Sequence, residues 1–269
     1  MTQTPSVVND LLRRHGIRPL RSLGQHFLAD PNLTSKITRL ADPSLSVLEI
    51  GAGTGALTLE LARQGHRVVA YEIDLRLKPL LEEVLEGLPN VEVRFADVTE
   101  VDVSEVLGNE KWSLVANLPY HVGTRLLLRL LTDVPNVSRY VVMVQREVGE
   151  RLVAGPGGKQ YGIPSVVVQL HAEAAIRIRV PPQVFVPPPA VDSVVLTIDR
   201  LSVIPEHAAR AVLLASSAFG QRRKMIKTSL AGAARDVEKT LEAAGIDGRL
   251  RAADLSPLDY LALAEASAS

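Results

Sequence analysis

Short apolar runs alternate with helical patterns through the first half of the chain, and this alternation limits the folds it can adopt. Each run has four or five residues, and leucines at helical spacing separate the first three runs from one another. The runs are Ser46–Ile50, Arg67–Tyr71, Val91–Phe95, Leu114–Asn117 and Tyr140–Val144. Strands that alternate with helices in this way predict a parallel sheet with helices on both faces. We therefore expect an α/β fold built on a doubly wound, Rossmann-like sheet.

The rest of the chain predicts a smaller helical region after the sheet. Two more apolar runs, Ala174–Val180 and Val191–Ile198, flank a proline-rich loop and predict a closing pair of strands. Val166–Val168 fits a strand or a helix by periodicity alone. From about Leu201 the pattern is helical. We expect one domain over residues 1–199, with an N-terminal extension over 1–30, and an all-helical domain over 200–269.

Composition excludes several kinds of site. At 269 residues with 46% hydrophobic content, the chain can bury a sizeable core. It has no cysteine, which excludes disulfides, thiolate nucleophiles and cysteine-ligated metal centres, and we expect no metal. Charged residues interrupt the N-terminus before a signal peptide can form, and no apolar run is long enough to cross a membrane. We expect a cytoplasmic protein.

One predicted strand ends in the tetrapeptide Asn117-Leu118-Pro119-Tyr120. Proline lacks the N–H that a central strand donates, so the chain leaves the sheet here, at the edge where open α/β sheets bind ligands. The Asn117 carbonyl and its backbone neighbours can accept hydrogen bonds from a planar amine, and Tyr120 can stack on the attached ring. This pattern favours chemistry on a nucleobase amino group. The alternative is a simple turn with an exposed tyrosine.

A glycine-rich loop, Gly51-Ala52-Gly53-Thr54-Gly55, follows the first predicted strand. Dinucleotide sites typically have glycines spaced G-x-G-x-x-G, whereas here every second residue is glycine. With Glu49 on the preceding strand, the spacing favours S-adenosylmethionine, because glycine lets the backbone approach the amino-acid part of that cofactor. A dinucleotide, or a turn without a ligand, is the alternative.

Acidic residues follow the next two predicted strands. Glu72 can accept hydrogen bonds from both ribose hydroxyls of a nucleoside, although NAD sites use a carboxylate in the same way. Asp97 can accept a hydrogen bond from the adenine amine of the cofactor. Both positions also suit helix caps, which is the alternative role for each.

A net charge of zero restricts any nucleic-acid contact to local clusters of basic residues. One cluster comprises Arg13, Arg14, Arg18 and Arg21. The other comprises Arg222, Arg223, Lys224 and Lys227, in a pattern that predicts a helix with Arg223 and Lys227 on one face. No acidic residue occurs from Leu213 to Arg235, which favours phosphate binding by the second cluster. The alternative is a solvated helix face.

Taken in order along the chain, these motifs resemble those of the bacterial small-subunit rRNA adenine dimethyltransferase family. The resemblance runs from about Arg18 to the end of the chain. Besides the glycine loop and the tetrapeptide, it rests on Gly24–Leu28, Gln145–Leu152, Tyr161-Gly162, Phe185–Ser193 and Phe219 with Arg222–Lys224. The sequence departs from the family at His26, where many members have asparagine, and at Thr228, where asparagine is common.

The resemblance implies a class I methyltransferase sheet followed by a helical domain that positions RNA. The implied reaction transfers methyl groups from S-adenosylmethionine to N6 of two adjacent adenines near the 3′ end of small-subunit rRNA, dimethylating each. The implied partner is small-subunit rRNA or the 30S pre-ribosomal particle, with a role in small-subunit biogenesis. We expect the protein to act as a monomer.

The resemblance also implies roles for individual residues. Catalytic roles fall on Asn117, Leu118, Pro119, Tyr120 and Phe185. Cofactor-binding roles fall on Gln25, His26, Leu28, Glu49, Gly51, Gly53, Gly55, Glu72, Ile73, Asp97, Val98 and Asn117. The second basic cluster would contact RNA. Phe185 would hold the adenine opposite Tyr120, and an ordinary core aromatic is the alternative for this residue.

Three other functions stay open at this point. A large-subunit rRNA adenine methyltransferase, of the kind that confers macrolide resistance, shares the fold and the amine chemistry. A non-catalytic ribosome-assembly factor would retain the fold without turnover. An NAD-dependent oxidoreductase is disfavoured by the glycine spacing and by the lack of an obvious hydride-transfer site.

Overall fold

The computed structural model describes residues 2–119 and 123–268, which form two compact units. The first unit is Met1–Gly149 with Ala175–Asp199, and the second is Glu150–Ala174 with Arg200–Ser269. The predicted division placed all of 1–199 in one domain. The structure differs in that Glu150–Ala174 groups with the C-terminal residues, because its helix packs on helices that follow residue 200.

The first unit is built on a seven-stranded sheet, which confirms the predicted doubly wound fold. The strands of the chain are β1 (Phe27–Leu28), β2 (Ser46–Ile50), β3 (Val68–Glu72), β4 (Val91–Phe95), β5 (Trp112–Asn117), β6 (Val137–Gln145), β7 (Ala172–Val180), β8 (Phe185–Val186) and β9 (Ser193–Arg200). The sheet order is β4-β3-β2-β5-β6-β9-β7. The first five of these strands are parallel, and β9 runs antiparallel to β6.

The central strands are apolar because helices cover both faces of the sheet. Every residue of β3 is buried, and Leu48 on β2, Leu114 on β5 and Val141 on β6 are at most 1% exposed. Such continuous apolar runs are typical of buried parallel strands. Strand β6 is longer than the predicted Tyr140–Val144, because it pairs with β5 on one side and with β9 on the other.

Helices flank this sheet and begin at recognisable sequence signals. They are α1 (Pro5–Arg14), α2 (Pro31–Thr38), α3 (Ala56–Arg63), α4 (Lys78–Val84), α5 (Val103–Leu107), α6 (Gly123–Asp133) and α7 (Arg146–Leu152). Thr4 and Asp30 cap α1 and α2 by accepting hydrogen bonds from backbone amides, and a proline follows each cap. The capping side chain gives a partner to a backbone amide that has none within the helix. Proline at the first helical position loses no hydrogen bond, because an amide there has no partner within the helix.

A separate two-stranded ribbon joins the N-terminal region to the proline-rich loop. Phe27 pairs with Val186 and Leu28 pairs with Phe185, in antiparallel register. The amide of Ala29 extends the ribbon by donating to the Val184 carbonyl at 2.7 Å. This pairing fixes the segment around residue 26 beside the carboxyl edge of the main sheet.

The second unit is helical, as predicted, and the ambiguous Val166–Val168 run lies in a helix. Its helices are α8 (Ile163–His171), α9 (Ala208–Gly220), α10 (Ile226–Ser229), α11 (Val237–Ala244) and α12 (Pro257–Ala268). Aromatic rings form its centre, with Phe219 5.9 Å from Tyr161 and 6.3 Å from Tyr260, measured between ring centroids. Both tyrosine hydroxyls are buried and donate to backbone carbonyls, so the core leaves neither unpaired.

Among the residues that the structure describes, no helix is both long and apolar enough to span a bilayer.

Candidate active site

Four strand ends converge on one set of neighbouring cavities in the first unit. Strands β2, β3, β4 and β5 lead into the glycine loop, Glu72, Asp97 and Asn117 respectively. Gly51 lines three cavities, of about 190, 80 and 30 Å³. The largest is lined by Ile73, Asp97 and Val98, and the middle one by Gln25, His26, Gly53, Glu72, Asn117 and Pro119. The structure therefore brings together the predicted cofactor and amine residues.

The glycine loop needs glycine for conformation and for space at two positions. Gly53 has φ +57°, and a Cβ there would lie 3.2 Å from the ring of Phe27. Gly55 has φ +80° and precedes α3, and a Cβ there would lie 3.2 Å from the side chains of Leu81 and Val84. An alanine at either position would be strained and crowded, because L-residues rarely adopt this backbone region.

Two hydrogen bonds that hold the glycine loop were not predicted from the sequence. The Gln3 amide nitrogen donates to the Thr54 carbonyl at 2.6 Å, and the Thr54 hydroxyl donates to the Gln3 carbonyl oxygen at 2.6 Å. Both side chains are buried, so the pair holds the loop by two hydrogen bonds shielded from water. No local pattern signals a contact between residues so far apart in sequence.

Glu72 lies at the end of β3, and each of its carboxylate oxygens accepts a hydrogen bond from a backbone amide. One oxygen accepts from the Gly53 amide at 2.8 Å and the other from the Asp74 amide at 2.9 Å. Burial raises the pKa of Glu72, and the two amide donors oppose that rise. Each oxygen retains acceptor capacity, since an ionised carboxylate offers about four lone-pair sites. Glu72 thus orders the loop and can still accept from a ligand hydroxyl.

Glu49 is a buried carboxylate without a hydrogen-bond partner. It is 1% exposed, and neither oxygen accepts a hydrogen bond from any residue that the structure describes. Burial raises its pKa to about 8, and the charge of Glu72 adds to the rise. Thr58 lies nearby and favours the ionised form of Glu49, which opposes this rise in pKa. The Thr58 hydroxyl itself has no hydrogen-bond partner among the described residues. Glu49 lines the smallest cavity with Gly53 and Asn117, so a cationic group there would satisfy it.

The loop after β4 forms the far wall of the largest cavity. Asp97 accepts from the amide and the hydroxyl of Thr99 through Oδ1, at 2.8 and 2.7 Å, which leaves Oδ2 for a ligand. Arg129 on α6 holds this loop by donating to the Val98 and Thr99 carbonyls at 2.9 and 2.6 Å. The sequence pattern predicted Asp97 and Val98 but gave no signal for Arg129, because its partners are main-chain atoms.

The tetrapeptide after β5 is held through Asn117. Its Nδ2 donates to the His26 carbonyl at 3.0 Å, while Oδ1 accepts no hydrogen bond from the described residues. The Leu118 amide donates to the Met143 carbonyl at 3.1 Å, which keeps the buried Leu118 in line with β6. Pro119 lines the cavity beside Asn117. Tyr120, the predicted stacking residue, lies outside the described residues.

The N-terminal segment contributes another part of the pocket wall. The Gln25 amide nitrogen donates to the Asp74 carboxylate at 2.7 Å, and the His26 ring nitrogen Nδ1 lies 2.7 Å from the Pro187 carbonyl. Because a carbonyl only accepts, Nδ1 carries the proton. Leu28 is buried in the ribbon with β8 and lines the smallest cavity.

Phe185 does not have the open ring face that stacking on a base requires. Its side chain is 2% exposed, belongs to the hydrophobic core and does not line the three cavities. The ribbon pairing with Leu28 turns the ring inward. The geometry therefore fits the alternative of a core aromatic better than the stacking role that the resemblance implied.

Arg222, Arg223 and Lys224 of the second basic cluster lie in a turn and Lys227 lies in α10, so the predicted single helix through the cluster is wrong. Helix α9 ends at Gly220, and residues 221–224 form turns before α10. The buried Ile226 donates its amide to the Leu250 carbonyl at 2.6 Å, which draws the chain away from the α9 axis. Arg222, Arg223, Lys224 and Lys227 are all exposed. The guanidinium of Arg222 lies 5.9 Å from the centre of the Phe219 ring.

Among the described residues, no group of three or more histidine and acidic side chains is arranged to hold a metal ion.

Comparison with known proteins gives a consistent set of relatives. Residues 18–269 match the family described as ribosomal RNA adenine dimethylase. A protein from Pelotomaculum thermopropionicum, named ribosomal RNA small subunit methyltransferase A, is 42% identical over 97% of this chain and 96% of its own length. A protein of the same name from Cereibacter sphaeroides is 44% identical over 96% and 95%.

Solved structures agree with this fold. A dimethyladenosine transferase from Plasmodium falciparum superposes with a TM-score of 0.75 at 25% identity, over 88% of this chain and 96% of that one. The 23S rRNA methyltransferase ErmE superposes with a TM-score of 0.71 at 28% identity, over 90% and 100%. The family inferred from the motifs is confirmed by a match that spans nearly the whole sequence: the chain belongs to the ribosomal RNA adenine dimethylase family.

Proposed function

We propose that this protein transfers methyl groups from S-adenosylmethionine to N6 of two adjacent adenines near the 3′ end of small-subunit rRNA, dimethylating each. The observation that carries the proposal is the orientation of Asn117 at the end of β5. Its amide nitrogen is bonded to the His26 carbonyl, so its oxygen is the atom left to accept from an exocyclic amine. The names of the two bacterial relatives support the small subunit as the source of the RNA.

The pocket fits the proposed cofactor in its donor set. Glu49 is a buried acceptor without a partner, which suits the α-ammonium group of an amino acid. Glu72 and Asp97 each keep acceptor capacity, which suits ribose hydroxyls and an adenine amine. The exposed Ile73 and the buried Val98 supply apolar surface on either side of the adenine-sized cavity. When bound, S-adenosylmethionine supplies an electrophilic methyl group.

The chain's own contribution to the reaction is to orient the amine. The N6 lone pair of adenine is delocalised into the ring, so acceptors at both N–H bonds favour a nitrogen whose lone pair points away from them. We assign this role to Asn117 Oδ1 and the Leu118 carbonyl, with Pro119 fixing the turn and Tyr120 stacking on the base. The proton released from nitrogen passes to solvent. Alignment of reactants in this manner supplies roughly 7–11 kcal/mol in favourable cases.

The second unit would hold the RNA by its backbone. Arg222, Arg223, Lys224 and Lys227 are exposed, and among the described residues no carboxylate forms an ion pair with them. Phosphate contacts of this kind fix register without reading sequence. The target adenine must leave its stack to reach Asn117, which costs a few kcal/mol for an unpaired or loop nucleotide.

A direct test offers the purified protein labelled S-adenosylmethionine with either 30S particles or protein-free 23S rRNA. We expect label in N6,N6-dimethyladenine of the small-subunit rRNA, identified after nuclease digestion. Labelling of 23S rRNA alone would instead favour the large-subunit function, to which the likeness with ErmE at 28% identity gives some weight. Binding to 30S particles without any label transfer would identify a non-catalytic assembly factor.

A further inference from the structure

A groove in the first unit lies outside the cofactor cavities and has no role in the proposed reaction. It has a volume of about 820 Å³ and is bounded by α1, by residues 17–26 and by the loop at 186–190. Its size is within the range of sites that hold small organic ligands. We refer to it as the N-terminal groove.

The N-terminal groove combines an apolar wall with positive charge. Leu12 and Ile17, both buried, form part of the wall with Val186 and Pro187. Arg21 lines the groove, is exposed, and makes no ion pair with a described residue. No carboxylate is among the described residues that line this groove. An anionic ligand with a flat apolar part fits this combination.

Arg13 adds a second guanidinium to the same rim. Its side chain is 77% exposed and shares the Asp10 carboxylate with Arg14. Arg14 itself does not line the groove, and Glu83 accepts a bidentate pair of hydrogen bonds from it at 2.8 and 2.9 Å. In the first basic cluster, Arg13 and Arg14 are therefore each paired with a carboxylate, whereas Arg21 faces the groove without an ion pair to a described residue.

The N-terminal groove shares lining residues with the cavity that contains Asn117. Gln25 and His26 line both the groove and the cavity that contains Asn117. The His26 carbonyl accepts from Asn117, and its ring bonds the Pro187 carbonyl on the groove side. The groove therefore lies beside the position that a base would occupy at Asn117.

We propose that the N-terminal groove binds the nucleotide next to the adenine being methylated. Arg21, assisted by Arg13, contacts the phosphate that links the two nucleotides, and the neighbouring base lies on the apolar wall of Ile17 and Pro187. This inference rests on the proposed function, because it assumes an RNA substrate at Asn117. It adds a second nucleotide subsite that is independent of the basic turn in the second unit.

The test combines a protein variant with a change at one phosphate. Small-subunit particles are assembled with a synthetic rRNA 3′ segment in which the phosphate on either side of the target adenine is replaced, one at a time, by a neutral methylphosphonate. We expect Arg21→Ala to raise the KM for unmodified particles about tenfold, and one neutral linkage to raise the wild-type KM similarly. In Arg21→Ala, the same neutral linkage should not raise the KM further. The substitution and the neutral linkage would each remove the same contact, so their effects should not add.

A control variant and a binding measurement separate loss of the proposed subsite from loss of the fold. Arg14→Ala, on the same helix but paired with Glu83, should leave the KM within about twofold of wild type. Affinity for S-adenosylhomocysteine, measured by calorimetry, should be unchanged in both variants and reports that each is folded. The proposed subsite would be overturned if Arg21→Ala left the KM unchanged. It would also be overturned if the losses from Arg21→Ala and from a neutral linkage were additive at both linkages. If the wild-type protein methylates no adenine in these particles, the proposed function itself fails.

Discussion

Asn117 donates a hydrogen bond from Nδ2 to the carbonyl of His26 at 3.0 Å, and this contact determines which end of the amide is available to a substrate. Without it, either the oxygen or the nitrogen of the side chain could face the cavity. The backbone carbonyl can only accept, so the nitrogen is committed to it. The N-terminal segment therefore orients the residue that we assign to the amine, across 91 positions of sequence.

Replacement of Asn117 tests this orientation directly. Asn117→Ala should lower the rate of methyl transfer by about a hundredfold or more, because the amine loses an acceptor that aligns it. Affinity for S-adenosylmethionine, measured by calorimetry, should stay within a few-fold. Asn117→Asp keeps an acceptor but places a carboxylate oxygen against the His26 carbonyl, and we expect it to be similarly impaired. Near-normal turnover of the alanine variant would remove Asn117 from the mechanism.

Two substitutions at Phe185 can distinguish a core role from a stacking role for this side chain. Phe185→Ala should destabilise the protein by about 3–5 kcal/mol, because it opens a cavity in the core. Phe185→Leu keeps most of the apolar volume, and we expect its rate of methyl transfer to stay within a few-fold of wild type. Chemical denaturation measures the first effect, and single-turnover kinetics measure the second. A tenfold loss of rate in the leucine variant at unchanged stability would restore the stacking role.

The basic turn of the second unit should control RNA affinity through charge. Alanine at Arg222, Arg223 and Lys224 together should weaken binding to 30S particles and reduce the slope of log affinity against log salt by up to about three. Filter binding between low and physiological salt measures this slope. Lys239→Ala is the control, since this exposed lysine of the same unit pairs with Asp236. An unchanged slope in the triple variant would locate the RNA elsewhere.

Glu49 should make stability depend on pH. Its carboxyl titrates near 4.5 when unfolded and at about 8 when buried. Between these values the folded state keeps a proton that the unfolded state releases, so the free energy of unfolding falls as the pH rises. Glu49→Gln cannot titrate, and its melting temperature should exceed that of wild type increasingly towards pH 8.

The control for Glu49 is the exposed Glu86. Glu86→Gln should leave the pH profile of the melting temperature unchanged, because it removes a carboxyl that is exposed to solvent in the folded protein. If Glu49→Gln and wild type have parallel profiles from pH 5 to 8, the buried carboxyl does not hold a proton in this range.

The strand ends that form the site could be predicted from the sequence because two simple rules apply to them. Apolar runs predict parallel strands, and the carboxyl ends of parallel strands meet at one edge. These rules were enough to bring Glu72, Asp97 and Asn117 together. They did not predict Gln3 and Arg129, because the partners of these side chains are backbone carbonyls distant in sequence.

Tertiary contacts account for two features that the local sequence pattern does not indicate. The pattern around Arg223 is compatible with a helix, but burial of Ile226 and its hydrogen bond to Leu250 outweigh local helix propensity. Phe185 carries the family's sequence signature, yet its pairing with Leu28 buries the ring. In both cases a residue remote in sequence decides the local conformation.

The ribbon between β1 and β8 has a consequence for synthesis of the chain. Phe27 gains its strand partner only when Val186 has been made, because these two residues pair in the ribbon. A nascent chain that ends before this point has the glycine loop, Glu72 and Asn117, but the segment around His26 lacks its anchor. Closure of so long a loop is a late and entropically unfavourable event. The pocket wall that contains His26 is therefore complete only once most of the chain has been made.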